Sequence, residues 1–401
     1  MLRIPLEAAP ALAEPAWVDI DLDAIAHNVR SFRGLLPPTC RLVAVVKANA
    51  YGHGMVRVAR TALQHGAAEL AVASVHEGAQ LRAAGITQPI LIAGPTAPAE
   101  AGFVVQHGLV PTVGCAELAH ALANATRRYL PVHVEVDTGM SRHGVAGRDL
   151  AAFVRGIEQR GRLTIAGVYT HFAATGVDDA PAMLRQLATF SAATDGVRSL
   201  RGVRRHACNT LAALLLPDAH LDAVRIGGGL YGFDPFAGTG RPAPFALRSA
   251  LALKARLVGL RTVDAGTAVG YGSTFVCTRP SRLGLLALGY ADGLVRERWN
   301  GAPVLVRGVR CPIVGVVSMN QTVVDVTDAA GARLGDEVVL LGAQGSEQVR
   351  AEARVEPGGS VYEVTTLLRA GLLRRYLGGG SGAVGHGDRS GPCHASPVPG
   401  S

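Results

Sequence analysis

Through its first 235 residues the chain alternates short, β-branched apolar runs with stretches of helical spacing, and it does so eight times. The runs centre near Val43, Val72, Leu91, Val110, Val134, Ile165, His206 and Val224. Between most of them apolar residues recur at helical steps, as in Met55–His65, Val75–Ala84, Ala116–Arg128 and Ala180–Arg198. Strands that read as continuously apolar are buried on both faces, which a parallel sheet covered by helices provides. Eight such units predict an α/β fold built on a (β/α)8 TIM barrel, with a doubly wound sheet as the structural competitor. An extra segment, Trp17-Val-Asp-Ile-Asp21, and then a helix from about Leu22 to Leu36 precede the first barrel strand.

After Pro244 the pattern changes. Leu251–Val263, Arg282–Leu288, Val304–Arg307, Val314–Val317, Thr322–Val326 and Glu337–Leu341 read as short strands broken by Gly, Pro and Asp, with no helix between them. They predict a C-terminal β-domain ending in a helix over Val361–Leu377. The expected organisation is an N-terminal arm over 1–14, a barrel over 15–244, the β-domain over 245–377 and a disordered Gly/Ser/Pro/His-rich tail over 378–401.

Composition narrows the function class. The chain is 48% hydrophobic and 17% charged with 50 Gly, as a compact α/β enzyme is. The net charge of +8 comes from scattered arginines with no basic stripe and no interleaved aromatics, so a nucleic-acid partner is not expected. Six cysteines show neither CxxC pairing nor metal-ligand spacing and read as reduced thiols of a cytoplasmic protein. No apolar run reaches membrane-spanning length, so no membrane partner is expected. Glu7 and Pro10 interrupt the apolar N-terminus, which argues against a secretory signal.

Lys and Arg total 39, and only Lys47 and Lys254 are lysine, so 37 are Arg. Arg serves nearly everywhere a bare positive charge would do. A Schiff base is different, because it needs a primary amine that can deprotonate and attack an aldehyde. Lys47 ends the apolar run from Arg41 and opens a Gly-punctuated turn through Gly54. Arg142, His171, Asn209 and Arg225 also follow apolar runs, and in a barrel the C-terminal strand ends form one face where chemistry belongs. Glycines 227 to 229, after the eighth strand, let backbone N–H groups approach a phosphate, and Asn209-Thr210 at the seventh strand end adds a hydroxyl. Each motif alone has a plainer reading: a surface turn, a solvated arginine, a packing tyrosine. Their agreement in place favours a site.

The segment Val45-Val-Lys-Ala-Asn-Ala-Tyr-Gly-His-Gly54 resembles the pyridoxal-phosphate lysine motif of the alanine racemase family. Asp137-Thr-Gly-Met140 with Arg142, Thr170–Ala173, Arg225-Ile-Gly227, Gly270-Tyr-Gly272, Gly289–Gly293, Ser318–Gln321 and Tyr362-Glu-Val364 follow in that family's order. The resemblance spans roughly residues 15–377 and implies a homodimer whose sites combine one subunit's barrel with the other's β-domain. It implies that Lys47 carries pyridoxal 5′-phosphate, with the phosphate at Tyr51, Thr210, Gly227, Gly228 and Tyr362, and with His171, Asn209 and Arg225 beside the cofactor. Arg225 would face the pyridine nitrogen. Racemisation needs a base on each side of the cofactor plane, and the resemblance names Lys47 and Tyr271. A free tyrosine is a weak base at neutrality, and the His171–Arg225 side is expected to help it. Arg142, Met319 and Tyr290 would meet a small amino-acid substrate.

Four positions depart from the family pattern. Glu135 stands where a carbamylated lysine usually positions the arginine, so Glu135 is expected to hold Arg142. Gly176 and Val316 replace a charged pair lining the access corridor, and Asn320 replaces an Asp. Two alternatives to a racemase remain at this stage. A same-fold decarboxylase would need a different Cys context around Cys277 or Cys311, and a catalytically impaired regulatory paralogue would follow from Glu135 and Asn320.

Overall fold

The computed structural model describes residues 14–355 and 359–379. The expected arm, apart from Glu14, and nearly all of the expected tail lie outside the described residues. The chain divides into two compact units, Leu22–Ala250 and a second made of the chain up to Asp21 with the chain from Leu251.

The first unit is a closed barrel of eight parallel strands. In chain order they are Arg41–Val45, Glu69–Val72, Ile90–Ile92, Val110–Val113, Leu130–Asp137, Leu163–Tyr169, Arg204–His206 and Ala223–Ile226. Each pairs with the next, and the eighth returns to the first with Arg225 opposite Val43. That closure removes the doubly wound alternative. Helices at Met55–Gln64, Val75–Ala83, Ala101–Gln106, Ala116–Ala125, Leu150–Glu158, Ala180–Asp195 and Thr210–Leu215 follow the strands, and Leu22–Leu35 precedes them.

Strand register decides what fills the barrel. Val43, Ala71, Leu91 and Ala223 pack as an apolar cluster. Across three adjacent strands, however, Glu135 lies opposite Tyr169 and Tyr169 opposite His206. The interior is therefore partly polar, where barrel interiors are usually branched and apolar. Gly167 makes this possible, because a Cβ there would come within 2.5 Å of the His133 ring.

The second unit is a mixed β-sheet. Its main path runs Val309–Pro312, Pro303–Val306, Glu337–Gln344, Leu251–Val263, Ala16–Asp21, Leu373–Leu377. Ser281–Leu286 and Thr322–Asp325 extend it from the far half of the long Leu251–Val263 strand, beyond a register shift between Leu257 and Gly259.

Four expectations need correcting. The Trp17–Asp21 strand, assigned by sequence to the barrel segment 15–244, pairs antiparallel with Leu251–Val263 and parallel with Leu373–Leu377. Its Asp19 is gripped there by Arg375 at 2.7 and 3.0 Å and by Lys254 at 3.3 Å. The terminal helix covers only Val361–Thr366; after Gly371 the chain turns into the strand Leu373–Leu377, whose partner is remote in sequence. Val314–Val317 is not a strand, because Gly315 takes φ 69° where a Cβ would sit 2.7 Å from Val269 O; Val309–Pro312 supplies the strand instead. One short helix, Arg296–Trp299, does lie among the β-domain strands.

Candidate active site

Lys47 stands two residues past the first barrel strand and begins a left-handed turn. Ala48, Asn49, Ala50 and Tyr51 have φ of 52°, 51°, 54° and 53° without a glycine among them. Such a conformation costs about 1–2 kcal/mol per residue for L-amino acids, so it must be held from outside. Glu77 does this, accepting from Ala48 N at 2.7 Å and Ala73 N at 2.8 Å. Asn49 Oδ1 accepts from Met55 N at 2.9 Å. The Lys47 side chain remains open to solvent, while surrounding protein partly desolvates its amine. That desolvation first, and then the charge of Arg142, lowers its pKa against a smaller opposing effect of Glu77. Lys254 is a contrast: it lies between Asp19 and Glu337 at 3.3 and 3.2 Å, a structural cation of the other unit.

The glycines after strand eight form a cradle. Thr210 Oγ1, buried, accepts from the N–H groups of Gly227 and Gly229, each at 3.2 Å. With its lone pairs so occupied, the hydroxyl keeps its own proton to donate. A Cβ at Gly227 would come 2.6 Å from the Tyr51 hydroxyl, so only glycine lets the tyrosine reach this turn. Asn209 is placed differently from its expected cofactor contact. Its side-chain oxygen accepts from Ala212 N at 3.0 Å and caps the helix Thr210–Leu215.

Arg225 lies within strand eight, not after it, and its side chain is buried. It donates to His206 Nδ1 at 2.6 Å, to Thr170 O at 2.8 Å, to Ala207 O at 3.1 Å and to His171 Nδ1 at 3.2 Å. Its guanidinium also lies 4.8 Å from the centre of the Tyr169 ring. Burial lowers the Arg225 pKa, and Tyr169 and Glu135 oppose that. Because Arg225 donates to His206 Nδ1, the proton of that neutral ring sits on Nε2 and is given to His133 Nδ1 at 3.0 Å. His171 is held neutral: burial first, then the charges of Arg225, Arg142 and Lys47, bring its pKa down to about 3. The positive field on this side therefore comes from Arg225, without the histidine the sequence reading had added to it.

Asp137 ends strand five, and its Oδ1 accepts from Gly139, Met140 and Ser141 N at 2.9, 3.0 and 3.0 Å. This folds the turn that presents Arg142 to solvent. The expected Glu135–Arg142 pair is not among the ion pairs of the described residues. Glu135, 5% exposed, instead accepts from Tyr169 OH and from His143 Nδ1, each at 3.0 Å. The reason is register: Glu135 sits inside the strand facing Tyr169, two residues short of the turn.

In the second unit, Tyr271 occupies the tip of a hairpin between Ala268–Val269 and Phe275–Val276 and is 73% exposed. Tyr290 and Met319 are brought together by backbone bonds: Tyr290 N donates to Ser318 O at 3.0 Å and Ala291 N to Met319 O at 2.9 Å. Tyr362 lies on the helix Val361–Thr366, whose Glu363 pairs with Arg298. Tyr271, Tyr290, Met319 and Tyr362 are all exposed.

Sequence reading missed Glu77, His133, Tyr169, Gln186 and His206 as parts of the site. A signal existed for the interior ones, since His133, Glu135 and Arg225 interrupt otherwise apolar strands. Nothing local marks Glu77 or Gln186, which act from helices through tertiary contacts. Among the described residues no His/Cys/Asp/Glu group could hold a metal ion, and no helix is long and apolar enough to cross a membrane.

Two family models match the chain, the N-terminal domain of alanine racemase over residues 20–235 and its C-terminal domain over residues 250–376. An alanine racemase of Desulfovibrio desulfuricans is 40% identical over 369 residues, covering 90% of this chain and 98% of that protein. The crystal structure of the Bacillus anthracis alanine racemase with bound L-Ala-P is 34% identical and superposes with a TM-score of 0.85, covering 93% of this chain and 97% of that one. A histidine racemase from Leuconostoc mesenteroides is 27% identical with a TM-score of 0.83, over 92% of this chain and 99% of that one.

Proposed function

The chain belongs to the alanine racemase family and is an amino-acid racemase, and we propose that it interconverts L- and D-alanine, or a small relative such as serine, on pyridoxal 5′-phosphate. The observation that carries this reading is Lys47, an accessible amine of lowered pKa at the mouth of a barrel, fixed by a strained turn beside an anion cradle. The residues fit the cofactor. Lys47 offers the amine that links it. Thr210, Tyr51 and the backbone N–H of Gly228 offer donors for its phosphate beside Gly227, whose own N–H goes to Thr210, joined by Tyr362. Arg225 offers a buried cation for its ring nitrogen, with His171 alongside. Asn209 supports the cradle as a helix cap. When bound, the cofactor supplies an electron sink for the carbanion formed at the substrate Cα.

The protein's part is to hold the substrate and move one proton. Arg142, which makes no ion pair among the described residues, stands on an ordered turn and is suited to the substrate carboxylate with the Met319 backbone and Tyr290. Lys47 Nζ takes or returns the α-proton on one face. The partner subunit's Tyr271 does so on the other, in a homodimer where each site joins one barrel to the other subunit's β-domain. The exposed hairpin tip that carries Tyr271 supports this arrangement. None of the five described cysteines is paired, which supports a reducing cytoplasmic location. The decarboxylase reading gains nothing here: Cys277 and Cys311 are 1% exposed, and burial with the charges of Asp325 and Asp328 pushes the Cys311 thiol up to about 11.

Borohydride reduction of the purified protein should fix the cofactor on Lys47, and the loaded enzyme should exchange the α-proton of alanine in deuterium oxide. A label on Lys254, or no cofactor at all, would overturn the assignment. A panel of amino acids then sets the preferred substrate. Broad acceptance is the expected consequence of the uncharged Gly176 and Val316.

A further inference from the structure

We propose that Gln186 is a positioning residue for the substrate carboxylate, because it ties the loop that carries His171 to the turn that carries Arg142. The inference rests on the reading of the site given above. Gln186 lies on the helix Ala180–Asp195 and is 8% exposed. Its Oε1 accepts from Ala173 N at 2.9 Å. Its Nε2 donates to Thr138 Oγ1 at 3.2 Å and to His171 O at 3.4 Å. One amide thus uses its acceptor and both its donors on two different segments. Turning the amide over would face its N–H groups toward the Ala173 N–H, so the orientation is determined.

What these segments carry gives the contact its meaning. Thr138 follows Asp137, whose Oδ1 folds the turn up to Arg142. His171 presents its ring to Arg225 and its carbonyl to Gln186, so both are held. A second link, Thr138 Oγ1 to Thr170 Oγ1 at 2.7 Å, runs parallel to the amide. Arg142 makes no ion pair among the described residues, so its place is set by the backbone that presents it. A shift of that backbone by a fraction of an ångström would move the guanidinium while leaving the barrel strands intact. A cavity of about 400 Å³, lined in part by Thr138, Gly139, Ala173, Asp179 and Gln186, lies beside both segments and leaves them room to move.

Two variants of the cofactor-loaded enzyme test this. Gln186→Met keeps length and bulk but removes all three bonds. Gln186→Glu keeps the acceptor for Ala173 N and loses both donors. The expected result for Gln186→Met is a KM for alanine raised about tenfold with kcat changed less than about threefold, because the lost interaction holds substrate and not the reacting atoms. Gln186→Glu should fall between it and the parent, and it stands in if the Met variant does not fold. Amide hydrogen exchange should rise about tenfold or more at residues 138–142 and 171–174, and not in the barrel strands. The proposal is overturned if KM and exchange stay at parent values, or if kcat and kcat/KM fall together with a lowered Tm. If the unmodified protein takes up no reducible cofactor, it is the site itself that fails, and that is seen before either variant is made.

Discussion

Glu135 accepts a 3.0 Å hydrogen bond from the hydroxyl of Tyr169, and the face of the same ring lies 4.8 Å from the guanidinium carbon of Arg225. A buried cation without a carboxylate in contact is expensive, and Glu135 is the anion that reaches it through the aromatic ring. Glu135→Gln keeps shape and removes that charge. The expected outcome is weaker cofactor binding by about tenfold, roughly 1.4 kcal/mol, with the KM for alanine within about threefold of the parent. Activity of the parent should also be indifferent to added bicarbonate, since a carboxylate needs no carbon dioxide to be charged. The reverse pattern, a raised KM with intact cofactor affinity, would return Glu135 to the role of holding Arg142.

Gly227 and Tyr51 test the cradle. Gly227 has φ −109° and ψ −93°, outside the backbone regions that L-residues favour, so alanine there carries a backbone cost as well as a steric one. Its Cβ would press on the Tyr51 hydroxyl at 2.6 Å. Gly227→Ala should weaken cofactor affinity about tenfold or more, read by equilibrium titration. Adding Tyr51→Phe removes the clashing oxygen, so the double variant should bind more tightly than the sum of the two single losses predicts. Additive losses would mean that the two residues do not share one phosphate site.

How much of this was legible in the sequence follows from the range of each interaction. Most of the eight barrel strands are legible because they are short, largely apolar and followed by a helix, so the signal is local; Arg204-Arg-His206 is the exception. The Trp17–Asp21 segment reads as an extra piece ahead of the barrel and falls in the expected segment 15–244, whereas it is a strand of the other sheet. Its partners begin at Leu251 and Leu373, and nothing in six residues reports a pairing that remote. The same holds for Leu373–Leu377, whose Leu-Arg-Arg-Tyr-Leu reads as well for the end of a helix. In the site, Lys47 and the glycine cradle were visible as residue types that chemistry requires at strand ends. The interior network was not, because His133, Tyr169 and His206 acquire meaning only when strand register sets them side by side.

Tyr271 sits at a hairpin tip built by Gly270 and Gly272 at φ 74° and 70°, which aims one side chain away from its own sheet. If it is the base for one face only, it should matter asymmetrically. Tyr271→Phe should slow α-proton removal from one enantiomer by about 10²–10⁴-fold and from the other far less, measured by exchange into deuterium oxide. If the site spans two subunits, mixing a Lys47→Ala protein with a Tyr271→Phe protein should regenerate activity through hybrid dimers. Equal small losses for both enantiomers would remove Tyr271 from the chemistry.

The buried histidines predict how the enzyme responds to acid. His133 and His171 are each brought down to about 3, by burial first and then by nearby arginines, and His206 is lowered in the same direction. In the unfolded chain each would take a proton near its reference value of about 6.5. Between about 6.5 and 3 the unfolded state therefore binds more protons than the folded state, so stability rises with pH and is lost as pH falls through that window. Asp19 and Asp137 act in the same sense, but only once pH nears their unfolded values of about 3.9, so they do not confuse the upper part of the window. Urea unfolding of the holoenzyme should be nearly flat from pH 7.5 to 8.5. It should then weaken with a slope approaching about three protons, each contributing about 1.4 kcal/mol per pH unit. His133→Gln keeps a polar partner for His206 and cannot titrate, so its slope should be shallower by about one proton. A parent protein with no slope between about pH 6 and 4.5 would mean that these rings are already charged when folded. The order of donors from Arg225 through His206 to His133 would then have to be abandoned.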